Sequence, residues 1–461
     1  MKSKHTVIIG GGISGLTAAF WLKRGGMSVT VLEREPVPGG TMRTLQEDGW
    51  LVETGPNSAL ETTPVFNEMF ELLGITAERL YADAASNKRY ILRNGQLHAL
   101  PMSPPSFLKT KLWSVPAKLR LLKEPFVGRA DREETIAEFV ERRLGREFLD
   151  YAINPFVAGV YAGNPEQLSV RSAFPKLYAL EEKYGGLIKG MIGGARERKR
   201  RTEVAKDRAQ MFSFAGGMQT FPDAVARDLG MAVQCGCDVT RLMVRRKGTN
   251  GRPPFSVEYT LAGKSSILEA DAVVLAVPAQ SAARLLAPHA PALASQLQSI
   301  YYPPVAEVFF GYRAEQCSRP LDGFGYLIPA IERRSTLGTI WSSSLFSARA
   351  PEGHIALTTF VGGSRQPELA SLPEEKLLAT VRSELEALMG VSGKPVYQRV
   401  MRWEKAIPQY NLGYHHILEG MDRLETAVPG LTICSNYRGG IAVGDCVKNG
   451  KLTAEKLLTQ Q

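Results

Sequence analysis

The sequence predicts an α/β protein. A parallel sheet is assembled from three separated stretches, with an α+β domain and a mostly helical domain inserted between them. Three observations carry this. Residues 6–33 read as strand, glycine-rich turn, helix and second strand. Residues 269–279, EADAVVLAVPA, read as one buried strand. Residues 431–458, LTICSNYRGGIAVGDCVKNGKLTAEKLL, read as strand, glycine-rich turn and closing helix. Strands that alternate with helical segments imply βαβ units and a parallel sheet.

In the first stretch each residue type has a physical task. TVIIG is a short apolar strand, and GGGISG places Gly10, Gly12 and Gly15 in G-x-G-x-x-G spacing, with Gly11, Ile13 and Ser14 between them. Gly10 permits the tight turn, Gly12 lets the backbone approach a pyrophosphate, and Gly15 lets helix and strand pack closely. The helix N-terminus offers its free N–H groups to the phosphates. SVTVLE is a second strand that ends in Glu33 and is followed by Arg34. Glu33 stands 18 residues after Gly15, where a carboxylate accepts hydrogen bonds from a ribose diol. The glycine spacing alone is weak evidence. Strand, helix, second strand and acidic terminus, in order within one βαβ length, specify a Rossmann-like dinucleotide site.

Bulk properties narrow the class of partner. At 461 residues the chain exceeds one ordinary core, so two or three domains are expected. No apolar run is long enough to span a bilayer, and no signal peptide is visible. The expected location is cytoplasmic, or peripheral on the inner face of a membrane. The five cysteines (Cys235, Cys237, Cys317, Cys434, Cys446) are odd in number and contain no C-x-x-C, which argues against a disulfide framework and against a zinc site. Cys235-Gly-Cys237 reads as a strand end sooner than as a redox pair. The six histidines show no metal-ligand spacing and His415-His416 reads as loop, so no metal is expected. The formal net charge of +10 favours encounter with anions, whether nucleic acid, anionic lipid or acidic metabolite.

The inserted segments raise further questions. NKRYILRNG, residues 87–95, reads as a strand through Tyr90-Ile91-Leu92 and a hairpin turn at Asn94-Gly95. Arg89 opens that strand with a guanidinium the strand does not need, either a solvated charge or the partner of an anion. Residues 104–127 carry Leu108, Leu112, Val115, Leu119, Leu122 and Phe126 as one apolar stripe along helical structure, which Pro116 divides. Lys109, Lys111, Lys118, Arg120 and Lys123 occupy other faces. Such a stripe either packs on its own domain or lies on an anionic membrane. Residues 184–208 hold five glycines in their first eleven positions, then seven cations against three anions, which reads as a mobile solvated linker. No aromatic residues interleave those cations, so no nucleic-acid partner is expected. Residues 321–363 are glycine-punctuated apolar strands, suited to line an apolar cavity or to pack as core.

Beyond Glu33, PGGTMRT brings Gly39-Gly40, Thr41 and Arg43. This arrangement resembles the second motif of the FAD superfamily that includes the amine oxidases, in which the closing strand-turn-helix unit aims its helix at the flavin. End to end, the chain resembles the oxygen-dependent protoporphyrinogen oxidases and their relatives, the coproporphyrinogen oxidases. The matching stretches are GPNSALE (55–61), NKRY (87–90), NPFVAGVYAGNPEQLSVRSAFP (154–175), FAGGMQTFP (214–222), WEKAIPQYNLGY (403–414) and RGGIAVGDCVKNG (438–450). The 154–175 block is the most specific, because amine oxidases and phytoene desaturases share the FAD segments but lack it.

The resemblance implies non-covalent FAD in a Rossmann-like domain of the amine oxidase/p-hydroxybenzoate hydroxylase type, built from residues 1–86, 213–281 and 403–461. It implies a substrate domain from 87–95, 201–212 and 282–402, and a helical domain over 96–200. The FAD phosphates are expected over residues 10–15 and the ribose at Glu33, with Arg34, Gly40 and Thr41 also along the cofactor. Gly55, Pro56, Asn57 and Ser58 are expected close to the flavin, and Val239 at the adenine end. Ile441, Ala442 and Val443 are expected at the isoalloxazine, and Trp403 and Asn436 beside the cofactor. On the substrate side the resemblance implies that Arg89 pairs with a propionate and that Leu327, Ile340 and Phe360 clamp the tetrapyrrole. Asn57 and Gly159 then line the cavity near the flavin ring. No catalytic residue is assigned, because the flavin carries the electron chemistry. Two departures from the family pattern concern the cofactor: Ser435-Asn436 stands where many flavoproteins have Gly-Asp or Gly-Asn, and the 41–43 stretch lacks the basic residue often seen directly after the glycine pair.

The implied reaction is the six-electron, O2-dependent oxidation of protoporphyrinogen IX to protoporphyrin IX in heme biosynthesis, with release of H2O2. Coproporphyrinogen III, which has four propionates rather than two, is the alternative substrate. An amine oxidase, a carotenoid desaturase and a non-catalytic binding protein on the same scaffold are remoter alternatives. A ferrochelatase or other chelatase is the implied protein partner, and a homo-oligomer is left open.

Overall fold

In the computed structural model, which describes residues 4–194, 209–245 and 253–460, the three separated stretches meet in one sheet. Its five parallel strands run in the order Val233–Gln234, Ser28–Leu32, His5–Ile9, Ala272–Leu275, Leu431–Ile433. The strand His5–Ile9 is central, and the chain leaves it in opposite directions. An open parallel sheet has its ligand crevice at that point. The helices Ile13–Arg24 and Val443–Thr459 both start beyond the C-terminal ends of their strands and pack on each other. Gly450 makes the close crossing feasible, since a Cβ there would sit 2.7 Å from that of Thr17.

A second, seven-stranded sheet has the order Tyr397–Trp403, Val305–Arg313, His354–Gly362, Gly338–Ile340, Gly323–Leu327, Lys88–Arg93, Gln96–Ala99. Alternate residues of a strand face opposite sides. One side, with Tyr90, Leu92, Val308, Phe310 and Tyr326, is buried beneath Leu377, Val381 and Leu385 of the helix Glu374–Met389. The other side, with Arg89, Ile91, Leu327, Ile340 and Phe360, faces the nucleotide-binding domain and the helical segment.

The structure corrects several expected boundaries. Gln96–Ala99 pairs with Lys88–Arg93, so the sheet continues past residue 95. The Asn94-Gly95 turn folds the chain back on itself, with φ of 52° and 73°. Met211–Phe214 pairs with Ala59–Leu60 and Arg79–Tyr81, so residues 211–212 lie with the first domain, not the substrate sheet. Residues 201–208 lie outside the described residues. The helices Ala279–Leu286 and Pro291–Gln298 share a core with Val7, Ile9 and Leu275, and the substrate sheet resumes only at Val305. His415 and His416 begin the helix Tyr414–Ala427 and are not loop.

The helical segment differs from its one-stripe reading. Leu112 turns inward, fully buried beside Trp113, Phe148 and Ile91, while Leu108, Val115, Leu119, Leu122 and Phe126 remain exposed. The division falls at residues 110–114, where Ser114 caps the helix Val115–Arg120, and Pro116 sits in its first turn. The glycines expected as a mobile linker are partly helical, over Leu187–Gly193, with Gly190 buried where a Cβ would meet Leu180 at 2.8 Å. The charge run over 195–208 lies outside the described residues. Arg143, with no exposed side-chain surface, ties this segment together. Its Nη1 donates to Glu124 at 2.7 Å and its Nε to Glu181 at 2.6 Å. Glu124 in turn accepts from the Leu187 and Ile188 amides at 2.7 and 3.0 Å.

Candidate flavin and substrate site

The crevice starts at the glycine turn. Gly10 has a φ of 105°, and a Cβ there would lie 2.5 Å from the Ala276 carbonyl oxygen; at Gly15 a Cβ would lie 2.1 Å from that of Gly10. These two glycines are required by the fold. Gly12 is not: its φ and ψ of −71° and 171° suit any residue, and a Cβ would meet only Gly40 Cα, at 4.0 Å. The space above Gly12 is therefore open on the protein side. The helix that follows, with Ile13 and Ser14 in its first turn, has no side-chain cap and no acidic residue in that turn. Such an end leaves N–H groups for an anion. Gly39 donates to the Gly11 carbonyl at 2.8 Å and lays Gly40 and Thr41 across the turn. Arg43 holds this second loop, its Nε donating to the Gly40 carbonyl at 3.0 Å and its Nη2 to that of Val37 at 3.2 Å.

Glu33 is buried at the end of its strand, oriented by the amides of Gly11 at 2.6 Å and Glu35 at 2.8 Å. Arg34 points to solvent and pairs with Glu35 at 3.1 Å. Val239 is packed in the core two residues after Cys237, whose amide donates to the Glu33 carbonyl at 2.8 Å. Burial raises both the Cys235 and Cys237 thiols, and neither has the depressed pKa of a reactive pair.

At the other end of the crevice, Gly55, Pro56, Asn57 and Ser58 are half-buried, and Gly55 passes so close to Thr41 that a Cβ would lie 2.1 Å from its carbonyl oxygen. The Trp403 indole donates to the Thr54 carbonyl at 2.6 Å and so stands beside this segment. Ile441, Ala442 and Val443 form the N-terminus of the closing helix. The Asn436 carbonyl accepts from the Tyr410 hydroxyl at 2.7 Å, and that hydroxyl accepts from the Gly440 amide at 3.2 Å. Gln409 donates to the Tyr161 carbonyl at 2.8 Å, and Ser169 donates its amide to the Tyr410 carbonyl at 2.8 Å. The two most family-specific stretches, 154–175 and 403–414, thus brace one another and the last glycine turn.

The register of the seven-stranded sheet puts Arg89, Leu327, Ile340 and Phe360 on one face. Gly159 lies over Leu327, where a Cβ would be 2.7 Å from Leu327 Cδ2. Three cations line the strand Lys88–Arg93, and they differ. Lys88 pairs with Asp322 at 2.5 Å and Arg93 with Glu147 at 2.6 Å. Arg89 pairs with no carboxylate among the described residues; its guanidinium carbon lies 5.7 Å from the Phe324 ring centre. Arg89 is accessible to solvent, yet surrounding protein desolvates the guanidinium and lowers its pKa from the ordinary value.

Sequence reading missed a buried acid pair. Glu307 lies in the same row as Phe360 and Met401, and its Oε1 is 3.4 Å from Asn57 Nδ2. Burial pushes its carboxyl well above the ordinary value, against the Asn57 hydrogen bond and with the help of the Glu53 charge. Glu53 is itself buried and raised to about 7 by desolvation, although Arg349 lies 3.3 Å away and Thr44 and Met218 donate to it. The available signal was an acid in a strand, VAEVFFGYR, that is buried along eight of its nine residues.

The sequence profile of flavin-containing amine oxidoreductases matches residues 13–458, and the chain belongs to that family. It is an FAD-dependent oxidoreductase. The particular branch follows from full-length relatives. The mitochondrial protoporphyrinogen oxidase of Nicotiana tabacum is 34% identical, covering 99% of this chain and 95% of that one. The coproporphyrinogen III oxidase of Bacillus subtilis (strain 168) is 30% identical, covering 99% and 98%. The fold is shared with a crystal structure from Exiguobacterium sp. 255-15 named for the protoporphyrinogen oxidases, with a TM-score of 0.81 at 24% identity and full coverage of both chains. It is also shared with a cofactor-binding redesign of putrescine oxidase, with a TM-score of 0.70 at 18% identity, covering 100% and 99%. The crevice suits FAD: the open space over Gly12, the uncapped helix end and the oriented Glu33 carboxylate match a pyrophosphate and a ribose in turn.

Proposed function

We infer that this chain oxidises protoporphyrinogen IX to protoporphyrin IX, and that Arg89 binds a substrate propionate. The observation that supports this best is the Arg89 guanidinium, on the sheet face of Leu327, Ile340 and Phe360 and without a carboxylate partner among the described residues, while Lys88 and Arg93 of the same strand have theirs. Arg89 and Glu307 are four strands apart, a span of roughly 19 Å, so a large ring can lie between the Asn57 end and Arg89. When bound, FAD supplies the two-electron acceptor and passes electrons to O2. Leu327, Ile340 and Phe360 hold the macrocycle by apolar burial, at ~25 cal/mol per Å2. Gly159 lets its helix approach Leu327 at this face. Arg365, also without a carboxylate partner among the described residues, donates both Nη groups to the Ile328 carbonyl at 3.0 Å. Arg89 is the cation in the substrate strand without a carboxylate partner among the described residues, which favours a substrate with two propionates over one with four.

The test is aerobic turnover of protoporphyrinogen IX and coproporphyrinogen III side by side on FAD-loaded protein, read by porphyrin fluorescence and H2O2. Faster oxidation of protoporphyrinogen is expected; a preference for coproporphyrinogen moves the enzyme to the other substrate, and no porphyrin from either refutes the reading. Within that assay Arg89→Ala should raise KM about 10- to 100-fold and change kcat less, because one charge-assisted bond is worth about 1.5–3 kcal/mol. An unchanged KM removes Arg89 from the site.

The exposed apolar residues of 102–126 support a peripheral membrane position. Met102 and Phe126 are 73% and 88% exposed, and the cations Lys109, Lys111 and Lys123 surround them in solvent. No helix among the described residues is long and apolar enough to cross a membrane. Binding to phosphatidylglycerol-containing vesicles is expected, with a loss of about tenfold for Phe126→Glu and a further loss at high salt. Equal sedimentation with and without vesicles rejects this role. A chelatase that takes up the porphyrin product is the protein partner such a position would serve.

A further inference from the structure

Glu307 is costly where it stands. Only 2% of it is exposed, its neighbours along the row and the strand face are apolar (Phe360, Met401, Val305, Phe309), and no cation among the described residues bonds it. A buried acid without a cation costs several kcal/mol in the charged form and is kept neutral instead. Packing alone is better served by a methionine or leucine at that position. What Glu307 does contact is Asn57, and there the donor geometry is informative. Asn57 Nδ2 lies 3.1 Å from the Gly55 carbonyl oxygen and 3.4 Å from Glu307 Oε1. A carbonyl only accepts, so the nitrogen must face Gly55 and the orientation of the amide is determined. Both amide hydrogens are then taken, and Oδ1 is the atom left to bind a donor.

We propose that Glu307 is a positioning residue: together with the Gly55 carbonyl it holds the Asn57 carboxamide so that Oδ1 meets a pyrrole N–H of the bound ring. This rests on the porphyrinogen reading above. A porphyrinogen carries four pyrrole N–H donors and a porphyrin two, so the contact orients the ring in both substrate and product. Glu307 makes no contact with the ring itself; its effect passes through Asn57.

The test is a double-mutant cycle on the FAD-loaded enzyme, with two readouts: kcat, and equilibrium binding of protoporphyrin IX followed by fluorescence without turnover. Glu307→Leu and Asn57→Ala should each weaken both by about tenfold, the size of one hydrogen bond, and the double variant should be no worse than either. Glu307→Gln keeps an acceptor oxygen and should rescue both to within about threefold. Glu307→Met, made alongside, covers a packing defect peculiar to leucine. Additive losses in the double variant overturn the proposal, and so does a Gln variant as impaired as the Leu variant. If the wild-type enzyme neither binds protoporphyrin nor oxidises either porphyrinogen, the functional reading fails; if it does both and the cycle is additive, only the Glu307 role fails.

Discussion

Replacing Gly12 by valine should yield a folded, colourless and inactive protein. The backbone at Gly12 has φ and ψ that valine adopts readily, and a Cβ there finds only Gly40 Cα at 4.0 Å. The protein itself therefore has room for a Cβ at this position. What valine would fill is the open space over the helix N-terminus, where the backbone must approach a pyrophosphate. FAD affinity should fall by at least about 100-fold, which corresponds to about 2.7 kcal/mol. The checks are the visible absorption of the purified protein, its thermal unfolding, and FAD titration of the apoprotein. Gly15→Ala is the contrast. Its Cβ would stand 2.1 Å from the Gly10 carbonyl oxygen, so it should damage the fold whether or not FAD is present. A yellow Gly12→Val protein with wild-type turnover would place the cofactor elsewhere.

The second large effect is on stability. Arg143→Met should destabilise the protein by about 3–5 kcal/mol, because it leaves the buried Glu124 carboxylate without its cation and Glu181 with Arg142 alone. Desolvation alone would raise the Glu124 carboxyl. The Ile188 and Leu187 amides and Arg143 outweigh it and hold the pKa below the ordinary value. Desolvation of Glu181 is likewise outweighed by Arg143 and Arg142. Because both folded-state pKa values are lowered, this stabilisation is fully present above the unfolded-state value of about 4.3 and is lost as pH falls through the folded-state values. The difference between wild type and Arg143→Met should therefore be full at pH 7 and shrink below about pH 4. Urea unfolding at a series of pH values measures it. A difference that is small at pH 7, or that grows on acidification, would show that the network does not carry the helical segment.

Much of the cofactor crevice was legible in the sequence because its chemistry is local. Gly10, Gly12 and Gly15 lie within six residues, and Glu33 follows at the end of the next strand, so one βαβ unit carries the argument. Arg89 was also visible, as a cation without a local reason to be there. That it pairs with no carboxylate among the described residues was not visible. Lys88 and Arg93 look the same in sequence, yet Asp322 and Glu147 pair with them from 234 and 54 residues away. Leu112 turns inward because the break expected at Pro116 falls at residues 110–114 instead, which takes that residue out of the helical spacing. The Gln96–Ala99 strand was missed although its turn was recognised, since four residues of mixed polarity carry little pattern of their own.

By itself, then, the sequence determined the class of fold, the dinucleotide turn, the carboxylate at its far end and the family to which they belong. Those features depend on backbone conformations and short spacings that residue types specify directly. The tertiary structure decided which face of the substrate sheet carries Arg89, Leu327, Ile340 and Phe360 together, which cations have partners, and that Glu307 stands buried beside Asn57. Burial and pairing are properties of segments hundreds of residues apart in the chain. Desolvation and charge act through space, and only the packed arrangement sets those distances.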